Sequence, residues 1–364
     1  MISTGRVIGI RHRVKQTAEG EARPTEVSIR HGDEFKVLVQ KTEADELEFV
    51  RTGLMENDRI AMVLGGSGDS LAYALSRTGE GLGAKVFRIP AYRLKAERGD
   101  AEKDGDSTLL ARLIFTKPEL FYEVRARDRA LIEVSECYRA RIEAMKARIA
   151  CEQRLRTSFI GKTFRRPEGP YPEGQIEDLF DKEKASSVIL QNLEAEESAR
   201  DKDLAKALKA LDVFTDIFGK VEGCGSSIAA GIISAVGDIR RFETKPKFKA
   251  FLGVHVLTDG TFARRRRNQT SNWNPAGRQA MYLFGDQMNR RADSVWGKKL
   301  REYKVKLREK HPEVVVVGGK KRYTDGHIHK MALWRTITKF AEWLYGEWWD
   351  LEGGSAEKRA KLAA

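Results

Sequence analysis

Apolar and polar residues alternate with a period of two over much of residues 5–40, in RVIGIRHRV, PTEVSIRH and EFKVLVQ. AEGEARP and HGDE supply turn chemistry between them, so this region predicts a β-meander. DRIAMVLGG reads as a buried strand, SGDSLAYALSRTGEGLG as a helix with a glycine-rich end, and AKVFRIP as another strand. A meander followed by a strand–helix–strand unit is the order of an RNase H-like α/β domain, and a ferredoxin-like fold could also produce it.

From Pro118 the period lengthens. Leu131, Val134, Tyr138, Ile142, Met145 and Ile149 recur at spacings of three and four, which predicts a long amphipathic helix with a coiled-coil-like seam. The proline- and glycine-bearing segment GKTFRRPEGPYPEG interrupts it. A second charged helix follows, with Val188, Ile189, Leu193, Leu204, Leu208, Leu211 and Phe214 as apolar positions. The two helices form an antiparallel hairpin or pair with a second copy of the chain; the pattern leaves both open.

Beyond Val221 the chain predicts a helical, basic and aromatic domain. In VEGCGSSIAAGIISAVGDIRRF, Gly223 and Gly225 flank a tight turn, with Ser226 and Ser227 placed to cap the next helix. Backbone N–H groups at such a helix start can seat a phosphate. Ala229, Ala230 and Gly231 allow close packing of a second helix, as in a helix-hairpin-helix. The last helix carries Met331, Trp334, Ile337, Phe340, Trp343 and Leu344 as a core stripe, and the polar tail from 351 to 364 is expected to be disordered.

Charge sharpens this picture. Of a net charge of +13, the stretch from Thr261 to Lys310 carries +10, with 14 Lys/Arg against 4 Asp/Glu. That clustering is the footprint of a phosphate-backbone binder. Arg264, Arg265, Arg266 and Arg267, with Arg240, Arg241 and Arg278, are candidate RNA-binding residues, because a guanidinium donates two hydrogen bonds to one phosphate and stays charged. Asn272, Trp273 and Asn274 are candidates for contact with RNA bases or ribose. Trp273 suits either stacking or structural packing, whereas Phe284 belongs to the core. His327 and His329, two residues apart, suit a surface or phosphate-contacting pair better than a metal site. Cys137, Cys151 and Cys224 form no CxxC pair and fit a reducing compartment. No apolar run is long enough to span a membrane, so a cytoplasmic location is expected.

Several of these segments resemble a family. Val221-Glu222-Gly223-Cys224-Gly225 followed by Ile228-Ala229-Ala230, then Val236-Gly237-Asp238-Ile239, Arg241-Phe242 and Phe251-Leu252-Gly253-Val254, is similar to the C-terminal domain of guide-RNA-directed DEDD-type insertion-sequence transposases. Element order and DSTLLARL at 106–113 extend the resemblance toward the N-terminus. It implies a RuvC-like (RNase H-like) domain over 1–117, an antiparallel coiled-coil hairpin over 118–219 and an all-α, helix-hairpin-helix-containing Nop/transposase-like domain over 220–350.

The active-site positions depart from that family. Arg11-His12 follows Gly9-Ile10 where the first acid should stand, and Gly65-Gly66-Ser67-Gly68 replaces an expected glutamate. Lys103 takes one position of the last acidic pair, leaving Asp106, with Asp104 and Asp100 nearby. Thr258-Asp259-Gly260 stands where the nucleophilic serine belongs. A two-metal site needs clustered carboxylates, so Asp104 and Asp106 read as vestigial, with no catalytic residue and no metal. The chain then resembles the nuclease-lacking Tas proteins of tandem interspaced guide RNA systems, which are related to box C/D Nop-domain proteins. That resemblance implies a guide RNA, a DNA target found by base pairing, a homodimer and a separate effector. The alternative is an active RNA-guided transposase or nuclease with displaced acids and a divalent metal.

Overall fold

A computed structural model describes residues 5–16, 21–167, 171–257, 261–264 and 271–353. The chain divides into two compact units, Met1–Ile132 and Glu133–Ala364.

The first unit is a mixed sheet with helices on both faces. Strands β1 (Val7–Arg11), β2 (Thr25–His31) and β3 (Glu34–Gln40) form the predicted meander, followed by α1 (Glu43–Thr52), β4 (Arg59–Leu64), α2 (Asp69–Gly79), β5 (Lys85–Pro90), α3 (Ala91–Arg98), α4 (Asp106–Thr116) and a two-residue β6 (Tyr122–Glu123). The sheet order is β3-β2-β1-β4-β5-β6. β1 pairs antiparallel with β2 (Ile10 opposite Val27) and parallel with β4 (Gly9 opposite Ala61), so β1 is where the sheet changes direction.

Alternation along the strands sorts side chains onto the two faces. Ile8, Ile10, Ile60, Met62 and Val86 join Phe49, Val50, Leu71 and Leu75 in one core, while Ala61 and Ile89 join Leu94, Leu110, Leu113 and Ile114 in the other. Gly9 faces α4 so closely that a Cβ there would lie 2.0 Å from the Ser107 carbonyl oxygen. The helix rests directly on the strand backbone, which only glycine permits.

The unit boundary falls within α5 (Ala126–Phe164). Its later turns run antiparallel to α6 (Ile176–Ser186) and α7 (Val188–Leu208). Arg141 pairs with Asp201 at 2.9 Å, Arg148 with Glu197 at 2.5 Å, Glu152 with Lys184 at 2.5 Å and Arg156 with Glu177 at 2.9 Å. Partner numbers fall as α5 numbers rise. Val188 and Ile189, expected on an apolar seam, are exposed. The break at Ser187 restarts the helix, and Leu190 is the residue of its first turn that turns inward.

Helices α8 (Ser226–Val236), α9 (Lys245–Phe251), α10 (Pro275–Arg290), α11 (Val295–Lys310) and α12 (Asp325–Leu351) make up the rest of the second unit. Its core holds the fully buried Phe218, Phe248, Phe284, Phe340, Tyr345 and Trp348. As the small-residue pattern predicts, α8 is closely approached: a Cβ on Gly231 would lie 3.0 Å from Ala280 of α10. The region is not all helix. Strands β7 (Val315–Val317) and β8 (Lys320–Arg322) form a ribbon, all six of whose residues are exposed. Gly318 and Gly319, both at positive φ, make its two-residue turn.

Candidate nucleic-acid interface

The second unit presents a cavity of about 680 Å³, walled by the Phe262–Arg264 segment, the β7–β8 ribbon and the first turns of α12. Arg264, Arg278, Lys320, Lys321, Arg322 and Lys330 line it, and no Asp or Glu does so among the described residues. Cations on four separate chain segments, the Phe262–Arg264 stretch, α10, β8 and α12, converge there without an acidic residue among the described residues of the wall. Such a surface attracts phosphate oxygens.

Two aromatic rings give the cavity an apolar floor. Trp334 and Phe262 line it with centroids 6.3 Å apart. Trp334, expected in the core stripe of α12, is only half-buried, as is Met331, which also lines the cavity. Ile337, Phe340 and Leu344 of the same stripe are fully buried. The stripe therefore continues beyond the core onto the cavity floor.

Arg278 joins the wall to the core. Its guanidinium donates 2.6 Å hydrogen bonds to the carbonyls of Gly253 and Ala263, and lies 4.6 Å from the ring centroids of both Trp273 and Trp334. Trp273 also packs against Gly253, where an added Cβ would lie 2.6 Å from its ring. Its packing role is thus visible. Asn274 is the N-cap of α10, its side chain accepting from the Gly277 N–H at 2.8 Å. Asn272 is exposed beside it.

His327 faces the cavity with a defined tautomer. Its Nδ1 accepts from the Tyr323 N–H at 2.9 Å, which leaves the neutral ring's proton on Nε2. Burial, then the cations Arg322 and Arg264, lowers its pKa. His329 lies instead beside Lys304 and Val305, in a separate hollow. A separation of two positions on a helix turns the two rings to different faces, so they do not act as a pair.

The remaining candidates are scattered. Arg240 pairs with the buried Asp238 at 2.6 Å. Arg241 lies 4.4 Å from the centroid of Phe251 and 4.7 Å from that of Phe242. Gly225 is the N-cap of α8, so Ser226 and Ser227 occupy its first turn and do not cap it. Gly223 takes a φ of +87° in the preceding turn, against the Arg291 side chain. Cys224 between the glycines is buried, its thiol pKa pushed up to about 12. Arg265, Arg266, Arg267, Thr258, Asp259 and Gly260 lie outside the described residues.

In the first unit, the acids near the expected metal site face arginines. Arg11 holds Glu26 at 2.7 Å, Arg98 holds Asp106 at 3.1 Å, Arg23 holds Asp104 at 2.6 Å and Arg88 holds Asp69 at 2.8 Å. Among the described residues, no group of three or more His, Cys, Asp or Glu is placed to hold a metal ion. No described helix is long and apolar enough to cross a membrane.

Lys320, Lys321, Arg322 and Lys330 are absent from the sequence-derived candidates. The signal was present: a valine run, Gly318-Gly319 and a basic triplet together spell a hairpin with a cationic arm. Helical periodicity alone places Trp334 with the core stripe, because it does not show where a packed stripe ends.

No curated protein matches the chain. Residues 215–301, which run from the segment before α8 into α11, match the family model described as Transposase IS116/IS110/IS902 family, and this part of the chain is related to transposases of that type.

Proposed function

We propose that this protein binds a short guide RNA through the second unit and recognises DNA by base pairing of that RNA, without cutting it. The observation that carries the reading is the cavity whose described lining holds six cations and no acid over a Trp334–Phe262 floor. Cations grip the sugar-phosphate backbone, and an aromatic floor accepts an unpaired base, which is the combination used on single strands. Sequence choice would rest with base pairing while the protein reads backbone and shape. Arg264 to Arg267 would extend the grip, and Asn272 would add a polar contact.

Two observations support a nuclease-lacking, Tas-like protein with a RuvC-like frame. The sheet, with its antiparallel β1–β3 meander beside parallel β4 and β5, has the strand order of an RNase H-like domain. The nearby acids are held by arginines, which oppose binding of divalent cations at the same carboxylates. A homodimer, a DNA target and a separate effector complete the proposal by resemblance. Sequencing the RNA that co-purifies with the full chain tests it. One discrete short species is expected, and a broad mixture of cellular RNA would overturn guiding.

A second reading, an enzyme acting on guide-matched DNA, is compatible with the relation of residues 215–301 to transposases. Metal-dependent cleavage or joining by the purified protein, lost in Asp104→Ala or Asp106→Ala, would establish it in place of the first.

A further inference from the structure

The first unit holds a second basic cavity, of about 630 Å³, beside the ends of β1 and β4. We propose that it binds a phosphodiester group of a nucleic-acid strand directly through side-chain cations, in the place where the resemblance leads one to expect metal ions. The inference does not depend on RNA guiding.

Location is the first argument. In open α/β sheets, ligands bind beyond the carboxyl ends of strands where the connectivity reverses. β1 is that point, antiparallel to β2 and parallel to β4, and Arg11 is its last residue. One face of α3 supplies the wall through Ala91, Leu94, Lys95 and Arg98, whose spacing places them on the same side of the helix.

Charge is the second. Arg11, Arg23, Lys95, Arg98 and Lys103 line the cavity against Glu21 and Asp106. Lys95 and Lys103 are exposed, and Lys103 acts electrostatically on Asp106. A volume of this size can accept a phosphate together with flanking sugar.

The Arg11 side chain pairs with Glu26 through Nε and Nη2, but its buried Nη1 has no hydrogen-bond partner among the described residues. Arg11 is only 8% exposed, so that donor is costly unless something in the cavity accepts from it. Asp106 Oδ1 is likewise buried without a partner. Burial raises the Asp106 pKa against the opposing pull of Arg98 and Arg11. A phosphate oxygen in the cavity would accept from Arg11 Nη1.

The test uses the full chain and a fluorescent 20-base-pair DNA duplex as probe, with anisotropy followed against salt. Lys95→Ala/Lys103→Ala should weaken binding and make the slope of log K against log salt shallower by about 2, since each phosphate contact contributes about 0.9. Asp106→Asn, which removes a negative charge from the cavity, should tighten binding. An unchanged slope in the lysine variant overturns the proposal, and it remains decisive if Asp106→Asn fails to fold. Lys320→Ala/Lys321→Ala, assayed with single-stranded RNA, separates the outcomes. If Lys320→Ala/Lys321→Ala leaves RNA binding unchanged but the duplex slope still falls in Lys95→Ala/Lys103→Ala, the RNA grip proposed for the second unit fails and this inference stands.

Discussion

The guanidinium of Arg278 lies 4.6 Å from the ring centroid of Trp334, on the floor of the basic cavity, while its N–H groups hold the Gly253 and Ala263 carbonyls. One arginine thereby organises the wall that Arg264 and Phe262 belong to. Arg278→Ala should destabilise the protein by about 2–4 kcal/mol, from two charged hydrogen bonds and two ring contacts. Arg278→Lys should recover only part of this, because an ammonium cannot reproduce the planar fork. Urea unfolding measures both.

The ribbon should behave in the opposite way. Lys320→Ala/Lys321→Ala/Arg322→Ala removes three exposed cations, so unfolding free energy should change by less than about 0.5 kcal/mol. Single-stranded RNA affinity should fall, and its salt slope should become shallower by about 2. Fluorescence anisotropy between 50 and 200 mM salt is the measurement. A stable variant with unchanged affinity would remove the ribbon from the interface.

Gly253→Ala combines two faults. The residue has a φ of +64°, and its new methyl would meet the Trp273 ring at 2.6 Å. Backbone strain alone costs about 1–3 kcal/mol. The melting temperature should therefore drop, and Trp273→Leu should relieve part of the drop in a double-mutant cycle.

Acid should weaken the folded state in a window set by histidines. His12, His255, His327 and His329 all have pKa values lowered below 6.5, burial being the largest cause for each. The folded chain then binds fewer protons than the unfolded chain just below that value. Their contribution to stability is present above pH 6.5 and is lost as pH falls through the folded values. Chemical unfolding at pH 7.5 and 5.5 should show the decline, reduced in a His255→Gln/His329→Gln variant.

How much of this the sequence disclosed varies with the distance between cooperating residues. The meander and β4–β5 were visible because Ile8 and Ile10, or Ile60 and Met62, sit two apart and share a core. Close packing at Gly231 followed from small residues next to one another. The two-residue β6 offers no period to detect. The cavity was hidden for a different reason: Phe262, Lys320 and Trp334 belong to three segments that only the packed chain brings together. Local chemistry also redirected several candidates, since Asn274 serves α10 and Arg240 serves Asp238.

The ribbon β7–β8 lies outside the core, with Lys320, Lys321 and Arg322 all facing solvent. Its residues can therefore change without passing through an unfolded intermediate sequence. Selection can retune the charge and reach of this finger one codon at a time, while Arg278 and the aromatic core keep the rest of the domain constant. The fold thus separates the residues that hold the domain together from an exposed basic finger that can vary without disturbing them.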